Sequence, residues 1–144
     1  MTRFAGGPAD SPGFLLWHTT LLWQRTITAA LQPLDLTHVQ FVLLACAWWL
    51  ESRGDTPNQQ DLARQAGTDV KMTSQVLRKL EAKGLLERAI APSDNRARHL
   101  HVTEEGADLA RSAIVVVETA DAEVFGAEAP ALVAILQRIA GTSR

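Results

Sequence analysis

The chain has 144 residues, a formal net charge of −2 and 47% hydrophobic residues, enough for one domain with a buried core. Its single cysteine, Cys46, excludes an internal disulfide framework and favours a cytoplasmic location. Residues 1–13 lack the long apolar stretch of a signal peptide, and the longest apolar run, at 41–50, is too short to span a bilayer. We therefore expect no membrane partner.

Two helices are predicted in the first third of the chain. Apolar residues at helical spacing predict the first helix from about residue 13 to 31, and they cover more than one of its faces. Such a helix has to bury two sides, for instance one against its own domain and one against a partner chain. The second helix, 38–52, is apolar nearly all round and begins at a capping box of Thr37 and Gln40. We expect it to lie at the centre of the core.

Two short helices joined by a tight turn follow, a pattern typical of a helix-turn-helix. The first covers about 58–66 and ends at Gly67, and its start has two competing caps, Thr56 and Asn58. The second helix, 70–83, has an apolar side and an opposite side without acids. That outward side comprises Lys71, Ser74, Gln75, Arg78 and Ala82. Cationic, hydroxyl and amide groups at this spacing suit phosphates and base edges in a DNA major groove.

A basic hairpin is predicted next. Residues 85–90 and 98–102 form its strands around a turn at 92–95, and Arg96 and Arg98 stand near the tip. A hairpin in this position is typical of a wing. The charge is concentrated in the segment that holds the helix-turn-helix and the hairpin. Residues 53–101 carry nine Lys/Arg and six Asp/Glu, a net charge of +3, whereas the rest of the chain carries −5.

The chain closes with two more predicted helices. Thr103 caps a long helix that runs to about Phe125, and a last helix covers about 130–140. The predicted fold is mainly α with a small β-wing, a winged helix-turn-helix with N- and C-terminal dimerisation helices. We predict one domain over residues 1–144. Within it, 13–35 and 104–142 supply the dimerisation helices and 36–103 the DNA-binding lobe.

Three stretches stand in order along the chain: LTHVQFVLL at 36–44, QDLARQAGTDVKMTSQVLRKLEAKGLLER at 60–88, and PSDNRARHLHVTEEG at 92–106. Their order and spacing resemble the MarR family of bacterial winged-helix transcriptional regulators. With the flanking helices the resemblance covers about 13–140. The third stretch is similar to the family's D-x-R wing followed by L-T-x-x-G, with Val102 where Leu is commoner. Arg78 stands where the family often has an acid, so base preference can differ.

The resemblance implies a homodimer with interleaved first and last helices, each subunit presenting 70–83 to the major groove. It also implies that Arg96 enters the adjacent minor groove, oriented by Asp94. A narrow minor groove concentrates negative potential and attracts arginine. Together the predicted DNA contacts are base-edge groups (Ser74, Gln75, Arg78), phosphate contacts (Lys71, Thr73) and wing residues (Asp94, Arg96, Arg98).

Other chemistry-bearing residues have simpler interpretations. Cys46 lies among apolar residues without a nearby cation or a second cysteine, so we interpret it as a core residue and not as a peroxide sensor. His99 and His101 share a strand face but lack the acids of a metal site, so we expect no metal. Core packing is the first interpretation of the four tryptophans. In similar proteins aromatic cavities hold effectors, and by that analogy Trp17, His18, His38 and Trp48 are the candidate effector residues.

The sequence therefore predicts a DNA-binding transcriptional regulator. Its partners would be an inverted-repeat duplex, a second copy of itself and a small aromatic or lipophilic effector that releases repression. No nucleophile–base set, phosphate loop or metal spacing occurs in the sequence, so neither an enzyme nor a cofactor is expected. The alternative is a winged-helix dimerisation or protein-interaction module that does not bind DNA.

Overall fold

A computed structural model describes residues 3, 5–91 and 94–141, leaving aside the side chains of 90, 91 and 94–97. Its helices are α1 (Pro12–Leu31), α2 (His38–Ser52), α3 (Gln59–Ala66), α4 (Val70–Ala82), α5 (Glu104–Phe125) and α6 (Ala129–Ala140). Strands β1 (Leu86–Ala91) and β2 (Asp94–Val102) form an antiparallel hairpin. The predicted fold class, mainly helical with a two-stranded wing, is confirmed.

The chain divides into two compact units. The first unit contains Met1–Ala30 and Val117–Arg144, and the second contains Leu31–Val116. The second unit therefore holds α2, α3, α4 and the hairpin, and the first holds most of α1, the end of α5 and α6.

Apolar side chains from every element of the second unit meet in its core. The fully buried ones include Leu43 and Leu44 of α2, Leu62 of α3, Leu77 and Leu80 of α4, and Leu86 and Leu100 of the hairpin. Burying a leucine side chain contributes roughly 2 kcal/mol, so this cluster is the main source of the unit's stability. It presses the inward face of α4 against α2 and leaves the opposite face outside.

Side-chain caps set where the helices of the second unit begin. The capping box before α2 is confirmed, because Thr37 Oγ1 accepts from the Gln40 amide at 3.2 Å and Gln40 Oε1 accepts from the Thr37 amide at 3.1 Å. Before α3, the competition between caps is decided for Asn58, which exchanges equivalent bonds of 2.9 and 3.0 Å with Asp61. Gly67 ends α3 at φ 72°, a conformation that suits glycine.

The hairpin begins its return strand earlier than the sequence predicts. Register pairs run from Leu86 with Val102 to Ile90 with Arg98, followed by an irregularity between Ile90 and Ala91. Strand β2 already starts at Asp94, so residues 94 and 95 of the predicted turn lie in a strand, and residues 92 and 93 lie outside the described residues. Cross-strand pairing overrides the weak strand preference of Asp and Asn here.

Helix α5 starts against the strand that leaves α4. The Thr103 amide donates to the Leu85 carbonyl at 3.1 Å, and Thr103 Oγ1 accepts from the Gly106 amide at 3.0 Å, which confirms Thr103 as the cap. Gly106 is buried, and a Cβ there would lie 2.0 Å from the Leu85 carbonyl oxygen. The close approach of α5 to the root of the hairpin therefore requires a glycine at this position.

The first unit leaves large apolar side chains uncovered. Trp23 Nε1 donates to Asp121 Oδ1 at 2.8 Å and so links α1 to α5 within this unit. Beside this bond lies an apolar groove of about 560 Å³ between α1, α5 and α6. Within the described ranges no single helix is long and apolar enough to cross a membrane, and α1 with α2 passes that test only as a bent pair.

Candidate nucleic-acid interface

Helix α4 carries its polar groups on the face that points away from the core. Lys71, Gln75 and Arg78 are exposed and Ser74 is half-buried. Arg78 Nη2 donates to Ser74 Oγ at 3.1 Å, one helical turn apart, and this bond extends the guanidinium along the helix surface. Four predicted contact residues thus share one outward face of a helix that the core holds rigidly.

The charge of this face is positive. Glu81 is the only acid within α4, and Arg88 of β1 donates to its Oε1 at 2.6 Å, which neutralises it at the flank next to the hairpin. With the described residues neither Lys71 nor Arg78 forms an ion pair. Their charges are therefore available to a polyanion.

Thr73 differs from the other predicted contacts. Its side chain is 0% exposed, and its hydroxyl donates to the Asp69 carbonyl and lies 2.6 Å from the Thr68 hydroxyl. Both bonds stay inside the turn between α3 and α4. The burial argues against the predicted phosphate contact, because the hydroxyl does not reach the surface, and we assign Thr73 a structural role in the turn.

The end of α4 is anchored to the segment before α2. Lys83 Nζ donates to the Asp35 carbonyl and, at 3.2 Å, to Gln40 Oε1, and it lies 3.4 Å from Asp35 Oδ2. Asp35 adopts φ 55°, which is left-handed and uncommon for a residue other than glycine. Sequence patterns do not reveal this anchor, because its partners stand more than 40 positions apart.

The hairpin contributes one described cation to the candidate interface. Arg98 is exposed on β2. The side chains of Asp94 and Arg96 lie outside the described residues, so their predicted roles remain predictions. At the root of the hairpin, Glu51 of α2 accepts from the Val102 amide at 2.9 Å and lies 2.7 Å from His101 Nδ1. Sequence reasoning missed these two bonds.

The four candidate effector residues are split between the units. Trp17 and His18 are exposed on α1 in the first unit, whereas His38 and Trp48 are half-buried, ten positions apart on α2, in the second. Neither unit contains all four, so this site remains a prediction. Cys46 is half-buried on α2, and burial raises the pKa of its thiol. Among the described residues, no group of three or more His, Cys, Asp or Glu forms a metal-sized cluster.

Comparisons with known proteins agree with this geometry. Residues 36–97 match the model of the MarR family. The chain is 45% identical over 121 residues to the uncharacterized HTH-type transcriptional regulator YdcH of Bacillus subtilis (strain 168), covering 84% of this chain and 82% of that one. It is 35% identical over 117 residues to the HTH-type transcriptional repressor Rv2887 of Mycobacterium tuberculosis (strain ATCC 25618 / H37Rv), covering 81% of each.

Solved structures are similar over nearly the whole chain. CouR from Rhodococcus jostii RHA1, bound to p-coumaroyl-CoA, superposes with a TM-score of 0.83 at 27% identity, covering 96% of this chain and 97% of that one. The Mycobacterium tuberculosis protein Rv2887 in complex with salicylic acid superposes with a TM-score of 0.69 at 30% identity. The match covers 90% of this chain and 96% of that one. The resemblance predicted from sequence is confirmed: the chain belongs to the MarR family of transcriptional regulators.

Proposed function

We propose that the protein is a homodimeric, sequence-specific DNA-binding repressor that a small molecule releases. The outward face of α4 is the observation that carries the proposal. Lys71, Gln75 and Arg78 point into solvent from a helix whose other side is locked in the core, and the acid of α4 is neutralised by Arg88. A helix of this kind fits the width of a major groove, and its groups match phosphates and base edges.

The hairpin supplies the second contact. A basic wing beside a recognition helix reaches the adjacent minor groove, where negative potential concentrates. We propose that Arg96 occupies this groove with Asp94 orienting it, and that Arg98 contacts the backbone next to it. These roles extend the footprint of each subunit beyond the half-site that α4 reads.

The first unit supports a dimer. Large apolar side chains stand exposed on α1 and α6, among them Leu16 at 56%, Trp17 at 61% and Ile139 at 74%. So many large apolar side chains exposed on two helices favour an interface, since contact of each side chain with water costs free energy. We propose that a second copy covers it and that the two α4 helices then read half-sites about 34 Å apart.

An aromatic acid or its thioester is the proposed effector class. The similar protein Rv2887 has been solved with salicylic acid and CouR with p-coumaroyl-CoA, both of which carry an aromatic ring. We propose that Trp17, His18, His38 and Trp48 contact such a ligand. It would act by binding more tightly to a state in which the two recognition helices no longer match their half-sites. A regulator of this kind acts on the chromosome in the cytoplasm and performs no catalysis.

Selection of bound duplexes from a random pool tests the function. The full-length protein at low salt should enrich an inverted repeat whose half-site centres lie one helical turn apart. Arg78→Ala, tested in the same way, should enrich a different or degenerate half-site. Enrichment of a single, unrepeated site would contradict the dimeric arrangement.

A protein-interaction module without DNA binding is the second candidate. The exposed apolar surface of the first unit favours it as much as it favours a dimer, because either kind of partner would cover that surface. Absence of any enriched duplex at low salt, combined with an intact fold, would support this alternative.

A further inference from the structure

The free edge of strand β2 is held from outside the hairpin. In an antiparallel pair every second amide of a strand points away from its partner strand. On β2 these include the amides of Leu100 and Val102. The Leu100 amide donates to the Pro57 carbonyl at 2.9 Å, and the Val102 amide donates to Glu51 Oε1, also at 2.9 Å. A carboxylate from α2 therefore continues the edge pairing that the backbone at Pro57 begins.

The same carboxylate also contacts the imidazole of His101 on β2. Glu51 Oε2 lies 2.7 Å from His101 Nδ1, so one side chain uses both oxygens on consecutive residues of the strand. The Glu51 side chain is 26% exposed and that of His101 is 53% exposed, so the bond to the Val102 amide is the better shielded of the two. Glu87 of β1 adds only a distant contact, 3.9 Å from His101 Nε2.

We propose that Glu51 is a positioning residue for the wing, fixing the direction in which β2 leaves the core and hence where the wing cations meet DNA. Arg98 stands three residues before His101, about 10 Å along the strand. A small rotation at the root thus displaces the arginine by several ångströms, more than the tolerance of a phosphate contact. This inference rests on the proposed DNA binding and adds to it a residue far from the recognition helix.

A double-mutant comparison tests the role in the full-length protein on the selected duplex. Glu51→Ala should weaken binding about tenfold, although removal of an acid favours polyanion binding by charge alone. Arg98→Ala should weaken the wild type about fivefold and leave the Glu51→Ala variant nearly unchanged. Arg78→Ala should lower DNA affinity by the same factor in the wild type and in the Glu51→Ala variant, because the position of α4 does not depend on the wing.

Two further variants separate positioning from charge and from folding. Glu51→Gln keeps an oxygen that accepts from the Val102 amide and should restore most of the lost affinity. Asp55→Ala removes a neighbouring carboxylate of the same cleft and should leave binding unchanged or slightly stronger. All affinities are measured well below each variant's melting temperature. Hydrogen exchange at the Val102 amide should accelerate at least tenfold in Glu51→Ala.

Independent, additive losses from Glu51→Ala and Arg98→Ala would overturn the positioning role while leaving the DNA-binding function intact. Unchanged exchange at Val102 would overturn it as well. If the wild type binds no duplex, the proposed function fails and the inference fails with it.

Discussion

At the scale of single residues, Gly106 has the least room for a Cβ among the glycines that the structure describes. A Cβ at this position would lie 2.0 Å from the Leu85 carbonyl oxygen and 3.1 Å from Val102 Cγ1. Both neighbours belong to the packed root of the hairpin, so neither has room to move aside. The glycine of the L-T-x-x-G-like stretch therefore serves a close approach of helix to backbone.

Gly106→Ala is predicted to lower the free energy of unfolding by about 3 kcal/mol, because the added methyl overpacks a buried contact. Thermal unfolding should show a melting temperature lower by about 10 °C. Gly13→Ala is the matched control, since nothing lies within 4 Å of a Cβ at that position, and it should change stability by less than about 0.5 kcal/mol. Equal stability of the two variants would contradict the packing argument.

Cys46 is predicted to be inert toward peroxide at neutral pH. Burial raises the pKa of its thiol, so the reactive thiolate is scarcer than in a free cysteine. Mass spectrometry after peroxide treatment should show unmodified thiol, and DNA binding should persist in the wild type as in Cys46→Ser. Peroxide-induced release that Cys46→Ser abolishes would overturn this interpretation.

The raised pKa also has a consequence for stability. Below the ordinary thiol value of about 8.5 both the folded and the unfolded chain keep the proton. Above that value the unfolded chain loses it first, so the wild type should lose stability with rising pH relative to Cys46→Ala. Denaturant unfolding at pH 7 and pH 10 measures the difference.

At the scale of elements, the sequence predicts most helix boundaries because their signals are local. The apolar period and the Thr37–Gln40 box place α2 within a few neighbouring residues of the chain. The contacts that the sequence does not predict join side chains that lie far apart in the chain. Glu51 meets His101 across 50 positions, and no periodic pattern marks such a pair. Thr73 stands at the edge of the buried side of α4, so the helical period alone does not decide whether its hydroxyl reaches a phosphate or stays inside.

The recognition helix leads to a prediction that separates specificity from affinity. Arg78→Ala should change which half-site is preferred, because the Arg78 side chain is exposed on the outward face of α4. Discrimination at one base pair should fall by about 1–3 kcal/mol. Arg96→Ala should weaken specific and non-specific duplexes by similar factors. Competition titrations with selected and random duplex measure both. Equal loss on the two duplexes for Arg78→Ala would contradict its base-reading role.

At the scale of the whole molecule, the two compact units divide the chemistry. The second unit contains the polar face of α4 and the hairpin, whereas the first contains most of the large exposed apolar side chains. One chain folded alone would leave Leu16 and Ile139 in water. If a second copy covers this surface, as proposed, two recognition helices face one inverted repeat, so we expect DNA binding to depend on dimerisation.

Leu16→Glu combined with Ile139→Glu is therefore predicted to abolish dimerisation and operator binding together. Each substitution places an unpaired charge in the proposed interface, and even one such charge costs about 3–5 kcal/mol, a loss of at least about 100-fold in dimer affinity. Sedimentation velocity should show a monomer for the double variant and a dimer for the wild type. Gln60→Glu adds a charge at an exposed position of α3, outside the apolar surface, and should remain dimeric. A double variant that stays dimeric while still binding its operator would place the interface elsewhere on the molecule.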